Sequence, residues 1–176
     1  MWKNGIRQAE LCNGGREVAM SVDKVKEYFV SFGREGDVLE FPVSSATVEL
    51  AAKAVGVENA RIAKSLSFMK GDDPIIVVVA GDARVDNHKF KENFGCKAKM
   101  LTPEQVTGLI GHNIGGVCPF SIKEGVQTYL DVSMKRFETV FPACGSSNSA
   151  IELTCDELEK YSQNFISWVD VCKDWI

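Results

Sequence analysis

The sequence predicts a single α+β domain. Three observations carry that prediction: helix caps and glycine stops recur between short strand patterns, one apolar run at Ile75–Ala80 is unbroken, and no repeat or low-complexity linker divides the 176 residues. A chain of this length buries roughly 70 % of its unfolded surface around one core.

The elements follow in order. Ser21 can cap a helix running to about Phe32, with Gly33 as its stop. Val38–Val43 reads as a short strand, and Ser44 or Ser45 as the cap of an amphipathic helix, Thr47–Val55, ended by Gly56. A strand over 61–68 precedes a tight turn, Gly71-Asp72-Asp73-Pro74, and the apolar run Ile75–Ala80, which reads as a central strand covered on both faces. Asp86 or Asn87 opens a helix to Phe94, closed by Gly95, and Lys97–Leu101 reads as a strand. Thr102-Pro103-Glu104-Gln105 combines a cap, a proline in the first turn and a capping glutamine, starting a helix that ends at Gly111. After a long loop come strands near Gln127–Val132, Glu138–Pro142 and Ala150–Leu153, a second capping box at Thr154–Glu157, and a final strand at Trp168–Cys172. Residues 1–19 lack a sustained period and end in a glycine-rich joint before Met20, so they read as a leader or ancillary tail to a domain spanning 20–176.

Composition narrows the function. No apolar run approaches the ~20 residues of a membrane span, and no signal-peptide pattern opens the chain, so a cytoplasmic protein without membrane partners is expected. A formal net charge of −4 argues against gripping DNA or long RNA through phosphate neutralisation, while leaving room for contact with a nucleic-acid end. The six cysteines form no Cys-x-x-Cys pair, and His88 and His112 are the only histidines, so a zinc site is not expected and free, mostly buried thiols are. No Walker loop, dinucleotide fingerprint or His-Glu-x-x-His is present.

The 61–68 strand carries the chemistry. Alternation puts Ile62, Lys64, Leu66 and Phe68 on one face, so Lys64 is a lone charge among apolar neighbours. Its ammonium either reaches solvent at the sheet edge, meets a carboxylate, or lines a cavity that receives an anionic ligand. The stretch Gly111–Phe120 is glycine-rich: Gly115 and Gly116 can bring backbone N–H groups close to a ligand oxygen, or form a structural turn. A second small-residue loop, Ala143–Ser149, offers hydroxyls and an amide, as many solvated turns do. His112 reads as an exposed loop residue. Cys118 could be a nucleophile, but no base is tied to it in sequence.

Phe41–Glu49, Arg61–Leu66, Gly115-Gly116-Val117-Cys118-Pro119-Phe120 and Gly145 through Ile151-Glu152-Leu153 together resemble the YbaK/EbsC family, free-standing relatives of the editing insertion in bacterial prolyl-tRNA synthetases. The likeness runs in order from about Met20 to the C-terminus. It implies a mixed, largely antiparallel, barrel-like sheet with surrounding helices. It also implies a deacylase that hydrolyses the ester of mischarged tRNA, of the proline-accepting or a related type, with no cofactor or metal. A vicinal ribose hydroxyl or a water would assist the attack. The expected partner is the acceptor end of aminoacyl-tRNA, with a synthetase or an elongation factor as possible helper. By the same resemblance the candidate catalytic groups are Lys64, Gly115 and Gly116. Candidate substrate contacts are Thr47, His112, Val117, Cys118, Pro119 and Phe120, followed by Gly145, Ser146, Ser147 and Asn148. The branch acting on cysteinyl-tRNA carries a serine and an aspartate where this sequence has Ala143 and Ala150, which leaves the amino acid open. The alternatives are a non-catalytic aminoacyl- or nucleotide-binding module of the same fold, and a thiol enzyme acting through Cys118.

Overall fold

A computed structural model describes residues 21–175; the expected leader lies outside them. Helix α1 (21–30) seats Val22, Val25 and Phe29 on the core from one helical face. Its capping expectation at Ser21 falls at the border of the described residues. The chain then turns through Gly33, whose φ of +69° only glycine adopts without strain.

The core is a six-stranded mixed sheet. Its centre is a hairpin of β2 (Ile62–Lys70) and β3 (Asp73–Ala80), joined by Gly71 and Asp72. The hairpin turn is therefore two residues, tighter than the four expected. Every residue from Ile75 to Ala80 is 0 % exposed, as an apolar run without alternation requires of a strand covered on both faces. Strand β5 (Gln127–Asp131) lies parallel to β3, and β9 (Phe165–Val169) parallel to β5. On the other side β6 (Thr139–Pro142) runs parallel to β2, and β8 (Leu153–Thr154) antiparallel to β6. The fold class is the expected one, a mixed α+β half-barrel. Parallel pairing is more prominent than "largely antiparallel" suggests, because long crossovers separate β3 from β5 and β2 from β6. Two short antiparallel ladders complete the fold, β1 (Leu39–Glu40) with β7 (Ser149–Ala150), and β4 (Arg84–Val85) with β10 (Cys172–Lys173).

The helices are capped as chemistry dictates. Helix α2 (Val48–Val55) is capped by Thr47, whose hydroxyl accepts from the Leu50 N–H, rather than by Ser44 or Ser45. Those serines point instead at the Ser147 carbonyl. Asp86 caps α3 (Asn87–Phe94). Both capping boxes form, at α4 (Pro103–Gln105), which continues as a π turn through Val106–Ile110, and at α5 (Cys155–Tyr161).

Four strand expectations are corrected. Val38–Val43 shrinks to β1 because Pro42 offers no N–H and the chain leaves the ladder there. Lys97–Leu101 is reduced to a single bridge, Met100 to Phe68. The expected strand at Ala150–Leu153 splits into β7 and β8, which join different partners, and the one at Trp168–Cys172 breaks where the Val171 N–H turns to the Asp131 carboxylate. The five described cysteines are free, and Cys118, Cys144 and Cys172 are buried. No described helix is long and apolar enough to cross a membrane.

Candidate functional site

The site begins as a gap in the sheet. One edge of β2 is bound along its length to β3. On the other edge Ile62 and Ala63 pair with Phe141 and Pro142, while the Ser67–Met69 end meets Lys99–Leu101. Lys64–Leu66 fall between these partners. At that parting lies a cavity of about 350 Å³, walled by β2 residues, Met100, Leu101 and Val106, the α2 entrance at Ser45–Val48, the loop at Ile114, Gly115 and Val117, and Phe141, Ala143, Ser149 and Ala150. Met100 and Ile114, 60 % and 61 % exposed, form its lip.

Among the described residues Lys64 is the only ionisable one in that lining. It is half-buried, and its Nζ donates to the carbonyls of Ala83 (2.6 Å) and Gly81 (3.3 Å). Among the described residues no carboxylate pairs with it. Burial pushes its pKa below the ordinary lysine value, against a weaker opposing pull from nearby Cys172 and Asp82. An ammonium has three N–H donors. Two are taken by those carbonyls, and the third has no partner among the described residues. Of the readings left open by the sequence, the cavity-lining lysine is the one observed.

Gly115 lines the cavity with φ of +90°, and a Cβ there would press on Ser147 (3.2 Å) and Ala46 (3.4 Å). Gly116 serves closeness of a different kind: a Cβ would fall 2.5 Å from the Gly145 carbonyl, so the two loops touch backbone to backbone. The Gly116 N–H donates to the Asn113 carbonyl (3.0 Å), whereas those of Gly115 and Val117 have no acceptor among the described residues. Thr47 and Val117 also line the cavity.

The other candidates stand behind this lining. Gly145 packs on α1, where a Cβ would meet the Ser21 carbonyl at 2.5 Å. Ser146 is bonded to Asn148 and Ser149, the Ser147 carbonyl holds Ser45, and Asn148 brackets Phe41 through both its amide and its carbonyl. The second loop thereby fixes the segment that leads into α2. The Phe120 ring stacks at 4.7 Å from Phe29, and the Pro119 carbonyl accepts from Gln163.

His112 corrects the sequence reading: it is 1 % exposed, not an exposed loop residue. Its Nε2 lies 2.7 Å from the Phe120 carbonyl, an acceptor, so Nε2 carries the proton and Nδ1 is left buried without a partner. Burial pushes its pKa below the ordinary histidine value. The Cys118 Sγ sits 3.5 Å from the same Nε2, a neighbour that spacing did not reveal. That contact does not activate the thiol. The nitrogen it meets is already protonated, and burial pushes the Cys118 pKa up to about 12.

Sequence reasoning missed most of the apolar lining: Leu101, Val106 and Phe141 look like any core residues, and the exposed Met100 and Ile114 carry no pattern that separates a lip from a surface. Ala143 and Ala150 were marked only by the resemblance, and both line the cavity.

The fold and this cavity define an editing-domain protein. An aminoacyl-tRNA editing domain model matches residues 43–161, two-thirds of the chain, and the chain belongs to that family. It is 57 % identical over 157 residues to the uncharacterized protein YwhH of Bacillus subtilis (strain 168), covering 89 % of this chain and 99 % of that one. It is 29 % identical over 90 residues to the proline–tRNA ligase of Lactiplantibacillus plantarum, where the match spans 51 % of this chain but only 16 % of the ligase. Among solved structures, a candidate trans-editing enzyme for prolyl tRNA synthetase superposes with a TM-score of 0.77 at 30 % identity, covering 87 % of this chain and 97 % of that one. Hypothetical protein APE2540 gives 0.74 at 25 % identity, over 85 % and 99 %.

Proposed function

We propose that this chain is a free-standing deacylase that hydrolyses the ester of a mischarged aminoacyl-tRNA. The observation that carries the reading is a cavity with one ionisable wall residue, whose ammonium keeps a donor free, in a member of the editing-domain family. In this reading the aminoacyl group enters between Met100 and Ile114. The Gly115 and Val117 N–H groups face the ester carbonyl and stabilise the oxyanion as it forms. Lys64 donates its third proton to the terminal nucleotide or the acyl group. Among the described residues the lining holds no carboxylate or imidazole to act as base. Water therefore adds to the acyl carbon with help from the vicinal ribose hydroxyl, the ester C–O bond breaks, and the departing ribose oxygen takes up the proton.

The lining selects among acyl groups. Ala143, Ala150, Ile62 and Leu66 favour a small uncharged side chain, and the absence of a serine or aspartate at 143 and 150 weighs against cysteine. Likeness to proline–tRNA ligases supports a proline-accepting tRNA. With a net charge of −4 the protein holds the acceptor end only, leaving the rest of the tRNA to a synthetase or elongation factor. The test is a panel of mischarged tRNAs offered to wild type and Lys64→Ala. Loss of hydrolysis in the variant supports the reading. Ligand-induced thermal stabilisation with no hydrolysis of any substrate replaces it with a binding module.

A further inference from the structure

We propose that Arg136, which does not line the cavity, is a positioning residue for Lys64, acting through the turn at Gly81–Ala83 that holds the ammonium. The inference rests on the editing reading only for its kinetic arm. Among the described residues Lys64 has no side-chain partner; what fixes its Nζ is a pair of main-chain carbonyls two residues apart, Gly81 and Ala83. A carbonyl pair can fix an ammonium only if the turn that carries it is itself fixed.

Two clamps do this. From below, Gly81 passes so close to the 59–61 turn that a Cβ would fall 2.0 Å from the Asn59 carbonyl. From the side, Arg136 grips the carboxylate of Asp82, the residue between the two carbonyls, with Nη1 at 3.0 Å and Nη2 at 2.6 Å. The guanidinium is aimed by its Nε bond to the Ser133 carbonyl (2.8 Å) and lies against the rings of Phe137 and Trp175. The anchor then runs into the core. The Ser133 hydroxyl accepts from the Ala80 N–H at the end of β3, and Asp131, fully buried, takes the Ser133 and Val171 N–H groups on its two oxygens. The short helical turn at Val132–Arg136 thus ties β3, β5 and the link that leads into β10 to the lysine's carbonyl pair.

The test uses Arg136→Gln and Arg136→Lys in the full chain. The Lys64 side chain is followed by NMR with carbon-13-labelled lysine, its signal assigned by its loss in Lys64→Ala, and deacylation is measured in parallel. In Arg136→Gln the Lys64 titration midpoint moves up toward the ordinary lysine value, and kcat falls about tenfold while KM stays within about twofold. Arg136→Lys keeps the charge but not the two-pronged grip, and gives the same changes at smaller size. This variant carries the test if the glutamine variant fails to fold. An unchanged Lys64 titration and kcat in a folded Arg136 variant overturns the proposal while leaving the editing reading standing. A shifted Lys64 titration in a protein that deacylates nothing upholds the clamp and removes the editing reading.

Discussion

Two corners of this molecule hold reactive residue types, and they differ in what is left over. At one, Cys118 and His112 sit side by side, a pairing that in other proteins makes a nucleophile. At the other, Lys64 stands without an ionic partner among the described residues. The Cys118 corner is sealed: both residues are at most 1 % exposed, the imidazole N–H is committed to the Phe120 carbonyl, and the thiol is held protonated. The Lys64 corner opens on a cavity that Gly115 and Val117 also line; among the described residues the ammonium keeps one donor uncommitted and the N–H groups of Gly115 and Val117 have no acceptor. Unspent hydrogen-bonding capacity within reach of a ligand, more than residue type, separates a candidate site from a structural pair.

The most severe way to break this contrast is Lys64→Ala. Removing a preorganised charge donor from a site of this kind costs on the order of 100-fold in rate, so deacylation of the preferred mischarged tRNA falls by about that factor or more while circular dichroism still reports the fold. Activity retained within a few-fold would strip the Lys64 corner of its distinction. Gly115→Val comes next. A β-branched residue at φ of +90° costs about 1–3 kcal/mol, and its methyl groups press on Ala46 and Ser147 at the cavity edge. We expect a lower melting temperature and roughly tenfold lower kcat/KM. A variant that melts lower yet turns over normally would assign Gly115 to the fold alone.

The same contrast shows what the sequence could and could not reveal. Lys64 was legible because strand alternation is a local rule: a lysine in phase with Ile62, Leu66 and Phe68 is visible without knowing the sheet. The capping boxes at Thr102 and Thr154 were legible for the same reason, since each closes on itself within four residues. What makes Lys64 a site was not local. The gap in β2's pairing arises because β6 and Met100 claim opposite ends of one strand edge, and those partners lie more than thirty residues downstream. His112 was misread for the matching reason. A loop histidine between glycines looks exposed until the chain folds back and places the Phe120 carbonyl on its ring.

The sealed corner makes its own prediction about pH. The fold holds His112 neutral and depresses its pKa, whereas the unfolded chain protonates it near the ordinary 6.5. Below that value the unfolded state binds a proton that the native state refuses, so stability falls as pH drops from 6.5 toward the depressed folded value and then levels off. Replacing the imidazole removes this contribution. Thermal melts between pH 7.5 and pH 5 (a range set by that reference value) should show the wild type losing a few degrees more than His112→Asn. Parallel curves would mean that the buried imidazole accepts its proton in the native state.

The smallest effect is expected where a cysteine enzyme would show the largest. Cys118→Ser changes one atom in a fully buried position 3.6 Å from the Phe120 carbonyl, an acceptor that a hydroxyl can also use. The substitution loses some packing around the smaller atom, a cost of about 1 kcal/mol, and deacylation should stay within about twofold of wild type. A thiol reagent at pH 8 should leave Cys118 unlabelled in the folded protein, because the sulfur is inaccessible and its pKa, pushed up to about 12, keeps thiolate scarce. A large activity loss in Cys118→Ser with an unchanged melting temperature would move the chemistry to the corner where the thiol is buried and the one unpaired acceptor, His112 Nδ1, is sealed away with it.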